Sequence, residues 1–325
     1  MDFSLNRREF LGSLAAAGAV GALAPTPAAA LPPQPWRGVF IIMQTPYYES
    51  LKIDGESLKR ETEFLVRCGV QGMVWPSGAG ETNSISHDER VEFSRVIVNQ
   101  ARHRIPVLVG VHAPNKFEAA EYARQAEAMG ADGMLARCQT DGTTDLDILT
   151  DYFTAITSAS KLPLCIQVTT PATTVDYLID LAHKLPTFRY VKEEVNPVHR
   201  VSEYVKRASG LLVPMTGGGA KMFMNEMARG SGGTMPGAGF ADIQAQIWDW
   251  FQAGKRKQAR ELFAKMLMMA VMEEEVTYVL QKEILRRRGI FKNVLMRNTS
   301  KFAMDAGDQR ELDAVFETLR PYFRV

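Results

Sequence analysis

Phe188-Arg189-Tyr190-Val191-Lys192-Glu193-Glu194 is a short apolar run that ends abruptly in a lysine and two acids. Such a run reads as a buried strand. A lysine at its carboxyl end loses part of its water, which disfavours an ammonium. A neutral amine attacks a carbonyl to form a Schiff base, an electron sink for making or breaking a carbon–carbon bond. The plain alternative is a strand-end lysine that reaches out to water and pairs with Glu193 or Glu194.

Working outward, similar apolar runs recur on both sides. Before it come Gly38 to Gln44, Gly72 to Trp75, Pro106 to Val111, Gly133 to Ala136 and Pro163 to Val168; after it come Leu211 to Met215 and Gly232 to Met235. Helical patterns alternate with them, at Ser57 to Cys68, His87 to Arg102, Lys116 to Met129 and Thr174 to Leu185. Ser86-His87-Asp88-Glu89 has the form of a capping box and marks one helix start. Eight strand-then-helix units predict a (β/α)8 TIM barrel over residues 31–240, since parallel barrel strands are buried on both sides and read as continuous apolar runs. A doubly wound open sheet is the rival, and no GxGxxG follows the first strand.

From residue 241 to 325 the pattern is helical and predicts a C-terminal extension. Its segments are Ile243 to Gln252, Lys255 to Leu280 with a break near Glu273, and Arg310 to Tyr322. The methionines between Met266 and Met272 read as core or subunit-contact packing, and Arg286-Arg287-Arg288 as a solvated helix end.

The chain of 325 residues carries a formal net charge of +1, so no strong field argues for a nucleic acid or an anionic membrane. Cys68, Cys138 and Cys165 are too few for a disulfide framework, and Cys68 in a helical pattern and Cys165 in an apolar run read as buried thiols. Asn6-Arg7-Arg8-Glu9-Phe10-Leu11, an Ala/Gly-rich stretch and Ala28-Ala29-Ala30 compose a twin-arginine leader over residues 1–30. The expectation is export of the folded chain to a periplasm, with no membrane span left after cleavage.

A barrel places its chemistry at the carboxyl ends of the strands. In order these are Thr45-Pro46-Tyr47, Ser77 to Thr82, His112, Arg137-Cys138-Gln139, Gln167 to Thr170, Lys192-Glu193-Glu194, Thr216 to Gly219 and Pro236-Gly237. Lys192 is the one lysine among them. The Gly78, Ala79 and Gly80 backbone before Glu81 suits a carboxylate, because small residues let N–H groups approach a ligand. Thr216-Gly217-Gly218-Gly219-Ala220-Lys221 suits close backbone packing around a substrate, or a phosphate.

These motifs resemble the dihydrodipicolinate synthase/N-acetylneuraminate lyase family of Schiff-base aldolases. The resemblance runs from residue 37 to about 320. It rests on Gly38 and Thr45-Pro46, Ile53-Asp54, Gly78-Ala79-Gly80-Glu81, Ser86 with Glu89-Arg90, Gly130-Ala131-Asp132-Gly133 and Val191-Lys192-Glu193. It implies a barrel with a helical extension, a homotetramer, and Lys192 as the nucleophile toward pyruvate or another 2-oxo acid, with an aldehyde as second fragment. It calls for no metal and no organic cofactor. The implied substrate contacts are Thr45, Gly78, Ala79, Gly80, Glu81, His112, Thr169 and Gly217.

The departures are specific. Ser77 stands where the family has a leading glycine, and Gly78-Ala79 where a Thr or Ser pair is common. Gln167 stands at the family's proton-shuttling tyrosine, and Ala172 where the synthases place an arginine. Glutamine cannot gain or lose a proton, so the shuttle must lie elsewhere, with Tyr47, His112, Cys138 and Glu194 as candidates. Two readings follow. One is an exported class I lyase that departs from true dihydrodipicolinate synthesis. The other is a binding protein that holds a 2-oxo acid on the same barrel without turning it over.

Overall fold

The computed structural model describes residues 36–137, 144–297 and 303–325. The twin-arginine leader, Cys138 and Gln139 lie outside the described residues. Eight parallel strands form a closed barrel: β1 (Gly38–Ile42), β2 (Gly72–Trp75), β3 (Val107–Gly110), β4 (Gly133–Ala136), β5 (Leu164–Val168), β6 (Phe188–Glu193), β7 (Val213–Thr216) and β8 (Gly233–Thr234). The ring closes where Gly38 and Val39 pair with Gly233 and Thr234.

Side chains alternate across each strand, which explains why apolar runs rather than alternating ones mark these segments. Inside the barrel lie Phe40, Ile42, Val74, Leu108, Leu135, Cys165, Tyr190, Val213 and Met215. Their neighbours Val39, Ile41, Met73, Val109, Met134, Ile166 and Val191 face the helices. Trp36 closes the lower end: its indole stacks on Tyr190 at 5.4 Å, and its backbone N–H donates to the Tyr190 hydroxyl at 2.9 Å. The free space therefore lies at the other end, where the strands finish.

Helices follow the strands: α1 (Gly55–Cys68), α2 (His87–Ala101), α3 (Lys116–Ala128), α4 (Leu146–Ala159), α5 (Val175–Lys184), α6 (Pro197–Arg207), α7 (Phe223–Ala228) and α8 (Ala241–Gln252). The Ser86 and Glu89 capping box is present at α2, while Asp54, Asn115, Asp145 and Thr174 cap α1, α3, α4 and α5. α8 packs against β1 and α1 and completes the ring of helices. Three more helices follow, α9 (Arg256–Val276), α10 (Tyr278–Arg287) and α11 (Ala306–Leu319). No helix of the described residues is long and apolar enough to cross a membrane.

The structure shifts three expectations. β6 runs two residues past Val191, so Lys192 lies inside the strand, paired in register with Gln167 and Met215. The break in the long helix falls at Thr277, whose φ of 58° ends α9 four residues beyond Glu273. Arg288 is not a solvated helix end: both its guanidinium nitrogens reach Asp242 at 2.7 Å, and it lies 4.1 Å from the Phe323 ring, with both partners of the ion pair buried. Burial of a fork-shaped cation needs such a two-pronged carboxylate, which only tertiary packing brings close. In the methionine cluster Met266 and Met269 are core, while Met268 and Val271 are exposed.

Candidate active site

At the carboxyl ends of the strands lies a cavity of about 360 Å³. Lys192 and Glu194 enter it together because residues two apart on a strand share a face, while Glu193 between them turns outward. There Glu193 forms an ion pair of 3.0 Å with Arg200 and accepts from the Tyr204 hydroxyl at 3.0 Å. It ties β6 to α6 and takes no part in the cavity.

Lys192 has a side chain only 6% exposed, and its Nζ lies 3.1 Å from Glu194 Oε1. Gln167, the register neighbour of Lys192, donates its amide to the other oxygen, Glu194 Oε2, at 2.6 Å. Burial pushes the Glu194 carboxyl up. The Lys192 ammonium and hydrogen bonds from Gln167, Lys192 and the Gly218 N–H outweigh that, so it is held below the usual carboxylate range. Below this row Cys165 faces the barrel interior, and burial pushes its thiol up to about 12, which leaves it inert.

The loop after β2 supplies the opposite wall. Ser77, Gly78 and Ala79 line the cavity, and Gly78–Gly80 form a 3₁₀ turn. The first N–H groups of such a turn have no partner within it. Here they belong to Gly78 and Ala79, which suits a carboxylate. Thr169 lines the cavity beyond Gln167.

Other expected contacts stand behind the site rather than in it. The Thr45 hydroxyl donates to the Gly80 carbonyl at 2.5 Å and accepts from the Trp75 indole at 3.1 Å, so it braces the β2 loop. Gly80 is needed for close approach, since a Cβ there would stand 2.9 Å from the Met43 carbonyl. Glu81 forms a buried ion pair of 2.5 Å with Lys282 of α10. Tyr47 is buried between Lys282 and Arg297, 4.6 and 4.9 Å from its ring, and burial raises its pKa; it does not line the cavity. His112 is also excluded from the cavity wall: its ring fills the space beside Gly110, and burial, then Arg90 and Arg137, hold its pKa well below the imidazole range. In each case a polar residue near a strand end was satisfied, or enclosed, by packing invisible in the sequence.

Gly217 acts through Glu194. A Cβ at this position would collide with the Glu194 carboxylate, so the missing side chain lets Glu194 turn toward Lys192. Gly217→Ala is expected to displace Glu194 and lower kcat by about 10²-fold, the effect of misplacing a catalytic group by about an ångström. Steady-state kinetics beside a thermal melt will separate this from unfolding.

Arg137 after β4 and Lys221 after β7 line the cavity from the strand-end segments the sequence marked, while Glu273, Glu274 and Tyr278 from α9 and α10 were not foreseen. Lys221 pairs with Glu274. The helical extension therefore forms part of the cavity wall.

The pattern of the dihydrodipicolinate synthetase family matches residues 35–314. The chain belongs to that family. Within it, the chain is 33% identical over 141 residues to a 4-hydroxy-tetrahydrodipicolinate synthase of Acidiphilium cryptum (strain JF-5), covering 43% of this chain and 48% of that enzyme. It is 28% identical over 186 residues to the 4-hydroxy-tetrahydrodipicolinate synthase of Rhizobium meliloti (strain 1021), covering 56% and 63%. The chain thus spans about half to two thirds of the length of these curated relatives. Two solved structures show the fold. The 4-hydroxy-tetrahydrodipicolinate synthase of Methylacidiphilum fumariolicum SolV superposes with a TM-score of 0.81 at 21% identity, over 89% of this chain and 97% of that one. A Ruminococcus gnavus sialic acid aldolase, solved as its catalytic lysine mutant, gives 0.81 at 19% identity, over 89% and 98%. A synthase and an aldolase thus share this fold.

Proposed function

We propose that this chain is a class I lyase in which Lys192 forms a Schiff base with a 2-oxo acid and makes or cleaves a carbon–carbon bond. The observation that carries the reading is Lys192 itself, an amine buried at the cavity wall with a carboxylate 3.1 Å away. Glu194 is within reach to take the ammonium proton, which frees the amine to attack the substrate carbonyl. The same carboxyl returns a proton to the departing hydroxyl as the imine forms. The N–H groups of Gly78 and Ala79, with the Ser77 hydroxyl, would hold the substrate carboxylate. Ser77, Gly78 and Ala79 all line the cavity with Lys192.

Two departures from the family argue against the substrate of the curated relatives. Gln167 donates to Glu194 instead of moving protons, and Ala172 offers no cation to a second carboxylate. A different aldehyde fragment fits better with Arg137, Lys221 and the acids of α9 on the wall. Export of the folded chain by the twin-arginine route belongs to this proposal, on the strength of Arg7-Arg8 and the Ala-rich stretch behind them. So does a homo-oligomer, for which Met268 and Val271, exposed one turn apart on α9, offer an apolar face.

Borohydride trapping tests the central step. Incubated with pyruvate or other 2-oxo acids and then reduced, the protein is expected to carry one stable adduct, which peptide mass spectrometry will place on Lys192. A folded protein that yields no adduct with any of them would leave the binding-protein reading in its place.

A further inference from the structure

Glu273 is a half-buried acid on the cavity wall; Gln281 holds its carboxyl, and its enclosed Oε2 has no hydrogen-bond partner among the described residues. It comes from α9, outside the barrel, and rests against Gly219 of the loop after β7. A Cβ on Gly219 would stand 3.4 Å from that same oxygen. A buried acid without a cationic partner is costly; Glu61 and Glu226 also lack one, but neither lines the cavity, and the other buried acids are paired. Glu81 has Lys282, Glu193 has Arg200, and Asp242 has Arg288.

The cavity needs a second proton-transfer group. In cleavage of a 4-hydroxy-2-oxo acid, the C4 hydroxyl must lose its proton as the C3–C4 bond breaks and its electrons pass into the iminium. In addition, the aldehyde oxygen must gain that proton. Glu194, held by Lys192 and Gln167, already serves imine formation at the amine and the departing hydroxyl. Glu274 is more than half exposed and paired with Lys221. Gln167 cannot exchange a proton at all.

We propose that Glu273 is the acid–base residue for the aldehyde fragment, taking the C4 hydroxyl proton in cleavage and returning it to the aldehyde oxygen in addition. The idea rests on the Schiff-base reading of Lys192. It also gives the extension a catalytic part, since α9 then delivers a group that the barrel strands lack. Burial raises the Glu273 carboxyl to about 7, against the pull of Gln281, Lys221 and Lys192. Tyr278, the first residue of α10, is the other titratable neighbour coupled to it. Both protonation states are then populated near neutral pH, as an acid–base group requires.

The test uses the full chain, pyruvate as donor, and glycolaldehyde and glyceraldehyde as acceptor probes. Glu273→Gln is expected to form the borohydride adduct on Lys192 as wild type does, and to lose about 10²–10⁴-fold in condensation rate. In wild type, kcat/KM for condensation is expected to fall as pH rises through about 7, because the donor is the protonated carboxyl. That limb should vanish in Glu273→Gln, which a merely structural residue would not bring about. If Glu273→Gln fails to fold, Glu273→Asp draws the carboxyl back by one methylene. It should leave the adduct intact and lower condensation by about 10²-fold. Condensation within about threefold of wild type, or an unchanged pH profile, overturns the proposal while the Schiff-base reading stands. A wild-type adduct without condensation of either aldehyde also overturns it. Absence of any wild-type adduct overturns the Schiff-base reading itself.

Discussion

Replacing Lys192 with alanine is expected to abolish the borohydride adduct and to lower turnover by at least about 10³-fold, the scale of losing a covalent nucleophile. Lys192→Arg should fail equally. It keeps the charge beside Glu194, but a guanidinium does not deprotonate to attack a carbonyl. The pair of variants separates two roles that the 3.1 Å contact with Glu194 leaves open, nucleophile and counter-ion. If Lys192→Arg retains binding of pyruvate and Lys192→Ala loses it, without turnover in either or in wild type, the lysine serves as an ion-pair partner. Loss of turnover in both, from an active wild type, assigns it to the chemistry. Isothermal titration alongside the kinetics will distinguish these results.

The second large effect is expected far from the chemistry, at Lys282. Its ammonium lies 2.5 Å from Glu81 Oε1 and 2.6 Å from the Leu295 carbonyl, and 4.6 Å from the Tyr47 ring. Both side chains of the ion pair are almost wholly enclosed. Removing one partner of a buried pair strands the other charge without water. Lys282→Met is therefore expected to destabilise the fold by about 3–5 kcal/mol. The double variant Lys282→Met with Glu81→Gln should recover much of that loss, because no unpaired charge remains. Chemical denaturation of the two variants checks this. Since Glu81 ends the turn that holds Gly78 and Ala79, the single variant should also weaken 2-oxo acid binding, and trapping with pyruvate will show it. An equal and small effect of both variants would mean that Lys282 and Glu81 do not join the extension to the barrel.

The barrel was legible because its cause is local and repeated. Strands buried on both faces must be continuously apolar, and each helix must carry one apolar stripe and a start signal. Ser86 with Glu89 marked α2 to the residue, and Lys192 stood out as a lysine at the end of an apolar run. Gly78 and Ala79 were readable as cavity backbone, because small residues before a helical turn admit a ligand.

The candidate shuttles were not legible. Tyr47 and His112 have the right chemistry and follow strand ends, yet Tyr47 is sandwiched between two cations and His112 is enclosed beside Gly110. Glu194 was named among four, and only the contacts with Lys192 and Gln167 on neighbouring strands distinguish it. Glu273 carried no signal beyond a suspected helix break, which the structure moves to Thr277.

By itself the sequence determined the alternation of strands and helices and the strand that carries Lys192. Each of these follows from periodicity and from the chemistry of one residue. Tertiary structure alone decided which acids meet that lysine, which polar residues are sealed away, and that a helix some eighty residues later closes the cavity. The reason is physical: protonation and reactivity depend on distance and solvent, and the chain sets both only when remote segments pack together.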